Sequence, residues 1–288
     1  MKQKLLQHPS KVMILLVLVI IKSLLTVANI SIIAFAVDAL VALNAWQFVG
    51  TLAIRFAMKG ILSYSEFLFS VRQEKFIQLV NTELREEIAE KLRKANYMEI
   101  TKREFPEYVS WMTNDMERIS SLGLPLFFTI TESVLTVLLS IGVILTYHWS
   151  ILLFLVVLIS GLLLIPKLFE PHTKKVLESY SATQEKFSSN VQNLLEGYSV
   201  FYALNKMDTF KNRVQFESGA VKDSVVCLIR AFMLSGIASG AVNSLGQSLS
   251  AILVGYLVVN GIVSIGVMGS IGSFTGILFG KVSLIAQN

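Results

Sequence analysis

Cysteine is almost missing from this chain: Cys227 is the one thiol in 288 residues. A lone cysteine excludes an internal disulfide framework and a thiolate metal cage. Histidine is scarce too, and His8, His148 and His172 are too scattered to form a metal motif. The third deficit is charge, which occupies 16% of the residues where a soluble domain would carry about 25%. In its place stand 53% hydrophobic residues and a mean hydropathy of +0.63, a composition that belongs in a membrane. The 25 basic and 20 acidic residues leave a net charge of +5. Nucleic-acid binding and membrane orientation both account for such an excess.

A helix crosses about 30 Å of hydrocarbon with roughly 20 apolar residues at about 1.5 Å each. Six runs qualify, at about 12–43, 48–71, 122–147, 151–169, 225–259 and 267–288. Three of the gaps between them are short, at Asn44–Gln47, His148–Ser150 and Asn260–Gly266, and contain no Lys or Arg. The N-terminus holds 3 basic residues, the gap 72–118 holds 9 and the gap 167–230 holds 9, which together make 21 of the 25. By the positive-inside rule the N-terminus and both long gaps are cytoplasmic and the short turns are outside. The basic excess is then topology, and nucleic acid drops out as a partner. Ala34-Phe35-Ala36 offers a signal-peptidase-like site, but the apolar run around it is about twice a signal core of roughly 7–15 residues. A retained first helix is therefore expected, with the sequon Asn29-Ile30-Ser31 inside it and out of reach of glycosylation.

Neither long gap reads as a globular domain. From Arg72 to Met98 there is no Gly or Pro, and Glu87/Lys91 and Glu90/Lys94 are acid-first i,i+4 pairs, the pattern of a solvated helix running out of the bilayer. The stretch Thr173 to Asn193 is built alike, with Lys174/Glu178 and the apolar series Val176, Tyr180, Phe187, Val191. The expectation is an all-α membrane protein of six transmembrane helices with two long cytoplasmic helical hairpins.

This layout resembles the transmembrane domain of ABC exporters. VSWMTNDMERIS, with Asn114 and Asp115, is similar to the family's stretch leading into the third helix. The segment starting NLLEGYSVFYALNK, around Glu196 and Gly197, resembles the family's second inner turn, and Gly261, Ser264 and Gly266 resemble its entry to the sixth helix. The chain departs from the pattern at Pro106, Tyr202 and Leu204. The resemblance implies a short coupling helix near Tyr97–Lys102, carried by Tyr97, Met98, Glu99 and Ile100. It implies another near Ala203–Phe210, carried by Leu204, Asn205, Lys206, Met207 and Asp208. Each would dock on a nucleotide-binding (ATPase) domain, with ATP and Mg bound by that partner. It also implies a second transmembrane domain, as a homodimer or heterodimer, at the plasma membrane.

The chain itself has no ATP site by sequence. A phosphate-cradling loop needs G-x-x-x-x-G-K-[ST], and the nearest string, GILFGKVS at Gly276–Ser283, has the wrong spacing and Val282 in the hydroxyl position. No ATPase catalytic residue is expected here, and the whole of 1–288 reads as one transmembrane domain. The ATPase then arrives as a separate chain or has been lost by truncation. Under the second alternative the chain is a non-transporting remnant or a scaffold whose stalks bind a partner.

Charges inside spans cost about 2.5–3.5 kcal/mol each on insertion scales, so they should face a partner or a wet cavity. Arg55, Lys59 and Glu66 share one stripe of the second helix at 100° per residue. Lys22, Thr26 and Asn29 share a face of the first, Glu132, Thr136 and Ser140 of the third, and Ser239, Asn243 and Gln247 of the fifth. One reading makes Lys22, Asn29, Arg55, Lys59, Glu66, Glu132, Asn243 and Gln247 a translocation pathway for a peptide or amphipathic small molecule. The other has Lys22, Lys59 and Glu132 simply neutralising one another. Three cations against two carboxylates name no cargo charge. Asp38 lies near the outer end, where exposure alone accounts for it. Ten of the 17 glycines fall from Gly236 onward, with Gly236/Gly240 and Gly272/Gly276/Gly280 at i+4 spacing, read either as a moving seam or as static close packing.

Overall fold

The computed structural model describes residues 7–100, 105–118, 120 and 123–287, and among them there are helices and no strands. The elements are α1 (Pro9–Val41), α2 (Ala45–Lys94), α3 (Tyr97–Ile100) and α4 (Phe105–Ser110), then a π-helical turn (Trp111–Asp115) and α5 (Met116–Arg118). They continue with α6 (Leu124–Tyr147), α7 (Trp149–Glu196), α8 (Tyr198–Ala203), α9 (Met207–Val259) and α10 (Ile265–Gln287). The motif residues Asn114 and Asp115 lie in the π-helical turn, a local unwinding that recurs at functional sites.

Local chemistry accounts for the breaks. Pro9 and Pro125 stand at the starts of α1 and α6, where a missing N–H costs nothing. Leu43 turns the chain with a φ of 54°, and the Asn44 side chain then caps α2 by accepting the Gln47 N–H at 3.1 Å. Between α6 and α7, His148 Nδ1 accepts the Ser150 N–H at 3.2 Å. After α9, Gly261 takes a φ of 68°, which a side chain would resist. All three turns coincide with the basic-free gaps of the sequence.

Among the described residues four helices are long and apolar enough to cross a membrane: α1, α6, α9 and α10. In α2 the expected span 48–71 is diluted by Arg55 and Lys59, and the described apolar part of α7 is Trp149–Gly161.

The chain forms two compact units. The first contains residues up to Val156 together with those from Gln247 onward. In it α1 is the spine, packed against α2, α6 and α10, while α10 also packs on α6. Its core joins Leu15 and Val19 of α1, Phe69, Phe76, Ile77 and Val80 of α2, and Leu124 and Phe128 of α6. Phe69 meets Phe128 edge-on with ring centroids 6.0 Å apart. The stripe of α2 that supplies Phe69, Phe76 and Val80, one residue every one or two turns, continues past residue 71, where the apolar run of the sequence ends.

The second unit, residues 157–246, comprises most of α7, all of α8 and most of α9. Its tip is held by rings: Tyr198 and Phe201 each meet Phe210 with centroids 5.8 Å apart. Leu228 and Ala231 are buried, whereas Phe232, Met233, Leu234 and Ile237 are exposed, as suits helices that face lipid or another chain.

The glycine expectation needs correcting. A Cβ at Gly236, Gly240, Gly272 or Gly280 would meet nothing within 4 Å, so those positions are not close seams in this chain. The close approach lies further toward the start of α10, where a Cβ on Gly266 would clash with the Ala34 carbonyl oxygen and one on Gly269 would sit 2.8 Å from Val37.

Candidate functional site

Inside the first unit four helices converge on one carboxylate. Glu132 of α6 accepts from Lys22 Nζ of α1 at 3.1 Å on one oxygen and from Lys281 Nζ of α10 at 2.8 Å on the other. Lys22 also approaches Glu66 of α2 at 3.6 Å and lies over the Phe69 ring, 4.7 Å from its centroid. Lys22 is 6% exposed, so its ammonium exchanges water for two carboxylates and a π face. Two cations and two anions make the group neutral, which removes most of the insertion cost of each charge.

Lys281 is the member that sequence reasoning missed. Its place near the C-terminal end of the last run hid it, although a cation inside an apolar helix was itself a signal. Conversely, Lys59 does not join: among the described residues it has no ion pair, and its side chain is exposed. Neutralisation thus occurs, with Lys281 in the place expected for Lys59.

The remaining predicted positions divide. Asn29 is buried and its Nδ2 donates to the Arg55 carbonyl oxygen at 3.2 Å, tying α1 to α2. Arg55 Nε is shut off from solvent with no hydrogen-bond partner, as is Ser140 Oγ on α6. Thr136 Oγ1 donates to Ser23 Oγ at 3.2 Å, and Thr26 Oγ1 bonds back to the Lys22 carbonyl. Gln247 lies against Gly276, whose Cβ would stand 3.4 Å from Nε2. Asn243 belongs to the second unit.

Two further ties hold the ends of α1. Near its start His8 Nε2 pairs with Glu83 Oε1 of α2 at 2.6 Å. Near its C-terminal end Asp38 receives the Ser264 hydroxyl at 2.8 Å and the Gly266 N–H at 2.7 Å. A carboxylate on the first amides of α10 is an N-terminal cap supplied by another helix. This overturns the reading of Asp38 as merely exposed and gives the Gly261, Ser264, Gly266 pattern a local reason: turn, hydroxyl donor and close approach.

At the ends of the long helices, α3 stands at Tyr97–Ile100, with Tyr97 and Met98 exposed. The Glu99 side chain, and Thr101 and Lys102 altogether, lie outside the described residues. Nearby on α2, Arg93 and Lys94 hold the Glu90 carboxyl below the usual carboxylate range, Arg93 by a hydrogen bond at 2.6 Å. In the second hairpin the short helix is α8, Tyr198–Ala203, earlier than expected. The stretch Ala203–Phe210 is instead a turn at Leu204, Asn205 (φ 54°) and Lys206, followed by Met207 and Asp208 as the start of α9. Gly197 carries no positive φ. Tyr198 and Phe201 supply the reason for the shift, since both must reach Phe210.

The string Gly276–Ser283 lies wholly within α10, and its Leu278 and Phe279 are buried. Regular helix keeps its amides in intrahelical bonds, so this segment does not fit a phosphate. Among the described residues no cluster of His, Cys, Asp and Glu is placed to hold a metal ion.

The family described as ABC transporter transmembrane region matches residues 12–282. No curated individual protein matches the chain.

Proposed function

The chain belongs to the family of ABC transporter transmembrane regions, and from that premise we propose that it is the membrane-spanning subunit of an ATP-driven exporter. It moves a peptide or amphipathic small molecule out of the cytoplasm by alternating access, from the plasma membrane, with its N-terminus inside. The observation that carries this reading is the length of α2. Fifty residues make about 75 Å of helix, against roughly 30 Å of hydrocarbon. A rigid rod more than twice the membrane thickness transmits displacement rather than merely anchoring.

In this reading α3 and the turn Leu204–Asp208 are the two contact points for a nucleotide-binding partner, which supplies ATP and Mg. Their exposed Tyr97, Met98 and Leu204 are the apolar groups such a partner would cover. The membrane domain works with a second copy or a related chain, six helices each. The three ties on α1, at His8, Lys22 and Asp38, make that helix the fixed element against which α2, α6 and α10 are positioned.

The test is co-expression with candidate ATPase subunits followed by reconstitution in vesicles. ATP-dependent, vanadate-sensitive accumulation of a fluorescent hydrophobic peptide is expected. Absence of both a complex and transport would leave the remnant or scaffold reading; under the scaffold reading changes in Ala203–Phe210 abolish function while Lys59→Ala leaves it intact.

A further inference from the structure

The charged residues of the apolar spans fall into two sets. Lys22, Lys281, Glu132 and Glu66 satisfy one another on α1, α2, α6 and α10. Asp38 is occupied by Ser264 and Gly266. Arg55 and Lys59 are left over, one turn apart on α2 and within about 40° of the same face. Among the described residues neither meets a carboxylate, and Arg55 Nε is buried with no acceptor. Arg55 is ten residues, about 15 Å, from the start of α2; in the exporter reading that is the middle of the hydrocarbon, where a side chain reaches neither interface easily.

Like charges at i,i+4 repel, and an orphaned guanidinium N–H in an apolar setting is costly. Arg55 Nε itself is closed to solvent, but Arg55 as a whole is partly exposed and Lys59 is exposed, so the pair offers two unmatched cations to an anion from outside this unit. Glu66 shares the stripe but stands about 10 Å farther along the helix and is turned to Lys22. We propose that Arg55 and Lys59 form an oxyanion site in the translocation pathway, and that the cargo is an amphipathic molecule ending in a carboxylate, such as a peptide with a free C-terminus. The guanidinium fork suits a planar carboxylate in bidentate fashion, and Lys59 adds a second, mobile charge. This names the cargo class of the exporter reading and rests on it.

The experiment measures binding of a dansylated hydrophobic tetrapeptide to the full chain in phosphatidylcholine nanodiscs, as the free acid and as its C-terminal amide. The acid is expected to bind about tenfold more tightly, the effect of about 1.4 kcal/mol. Arg55→Gln and Lys59→Gln each cut the acid/amide ratio severalfold, Lys59→Arg keeps it, and Lys59→Glu brings it below one. A reversal of preference requires a folded protein, so loss of fold cannot imitate it. Equal binding of acid and amide overturns the site, and is also the signature expected if a carboxylate of a second transmembrane domain occupies both cations; failure of both peptides to bind overturns it as well. The export reading fails separately: acid preference without ATP-driven transport in the reconstituted complex sinks the exporter and leaves the site, whereas equal transport of both peptides does the opposite.

Discussion

Lys22 on α1 and Lys59 on α2 are the same residue, each inside an apolar run, and the fold treats them oppositely. Lys22 has Glu132 at 3.1 Å, Glu66 at 3.6 Å and a phenyl ring beneath it. Lys59 has an exposed side chain and no ion pair among the described residues. The difference teaches that residue type and depth in a span do not assign a role. What decides is whether a neighbouring helix brings a counter-charge to the same height. The paired set works as a fastening between α1, α6 and α10, and the unpaired set takes no part in it.

The strongest way to break this contrast is to remove the shared carboxylate. Glu132→Ala strips Lys281 of its partner and leaves Lys22 with Glu66 alone. The expected loss lies toward the low end of about 3–5 kcal/mol for breaking a buried pair, because the Glu132 and Lys281 side chains keep 20% and 23% exposure. An unchanged thermal midpoint in detergent would show that the cluster fastens nothing. Next comes the direct comparison: Lys22→Met should cost about 1.5–3 kcal/mol, the range for hydrogen bonds to charged groups. Lys59→Met should fall within about 0.5 kcal/mol of the parent or gain slightly. Equal midpoints for the two variants would erase the distinction between the sets.

Where α1 ends against α10, Gly266→Ala places a methyl against the Ala34 carbonyl and should cost about 1–3 kcal/mol through overpacking. Asp38→Ala, losing an interhelical cap, should cost about 1 kcal/mol. Accessibility of a cysteine placed at the buried Val267 to a maleimide would rise in both if the join opens, and would stay constant in Asp38→Ala if Asp38 contributes nothing. Smallest of all is Glu90→Gln. The Glu90 carboxyl is held low by Arg93 and Lys94, so any stabilisation is present above the ordinary carboxylate range and is lost as pH falls through the depressed value. The pair is fully exposed and screened by water, so no change in midpoint should be detectable at neutral pH. A measurable drop would mean that the end of α2 is fastened in a way its exposure does not suggest.

How much of the site was legible varies residue by residue. Lys22 and Glu132 stood out as isolated charges in apolar runs, and their helix faces were readable from the 100° step. Lys281 carried the same signal but sat near a chain end. Asp38 was legible only in combination with Gly261, Ser264 and Gly266, since a carboxylate capping a helix 226 positions away leaves no local trace. The close glycine contacts fell at Gly266 and Gly269 rather than in the regular series Gly272/Gly276/Gly280 because two helices that cross touch over a limited length, and spacing alone does not say where. The short helix at Tyr198–Ala203 was displaced by the ring contacts with Phe210, which a pattern of apolar spacing does not encode.

The linear order of residues determined the class of the molecule. Hydrocarbon thickness is matched by contiguous apolar length, helix continuation by the absence of Gly and Pro, and the family by short motifs on that layout, all of which are properties of single segments. Tertiary structure decided which charges meet. Lys22 reaches Glu132 across 110 positions and Lys281 reaches it across 149. Such pairing depends on the rotation and axial offset of each helix against its neighbours, set by packing at Phe69, Phe128 and Gly266, and a helix face read in isolation fixes neither.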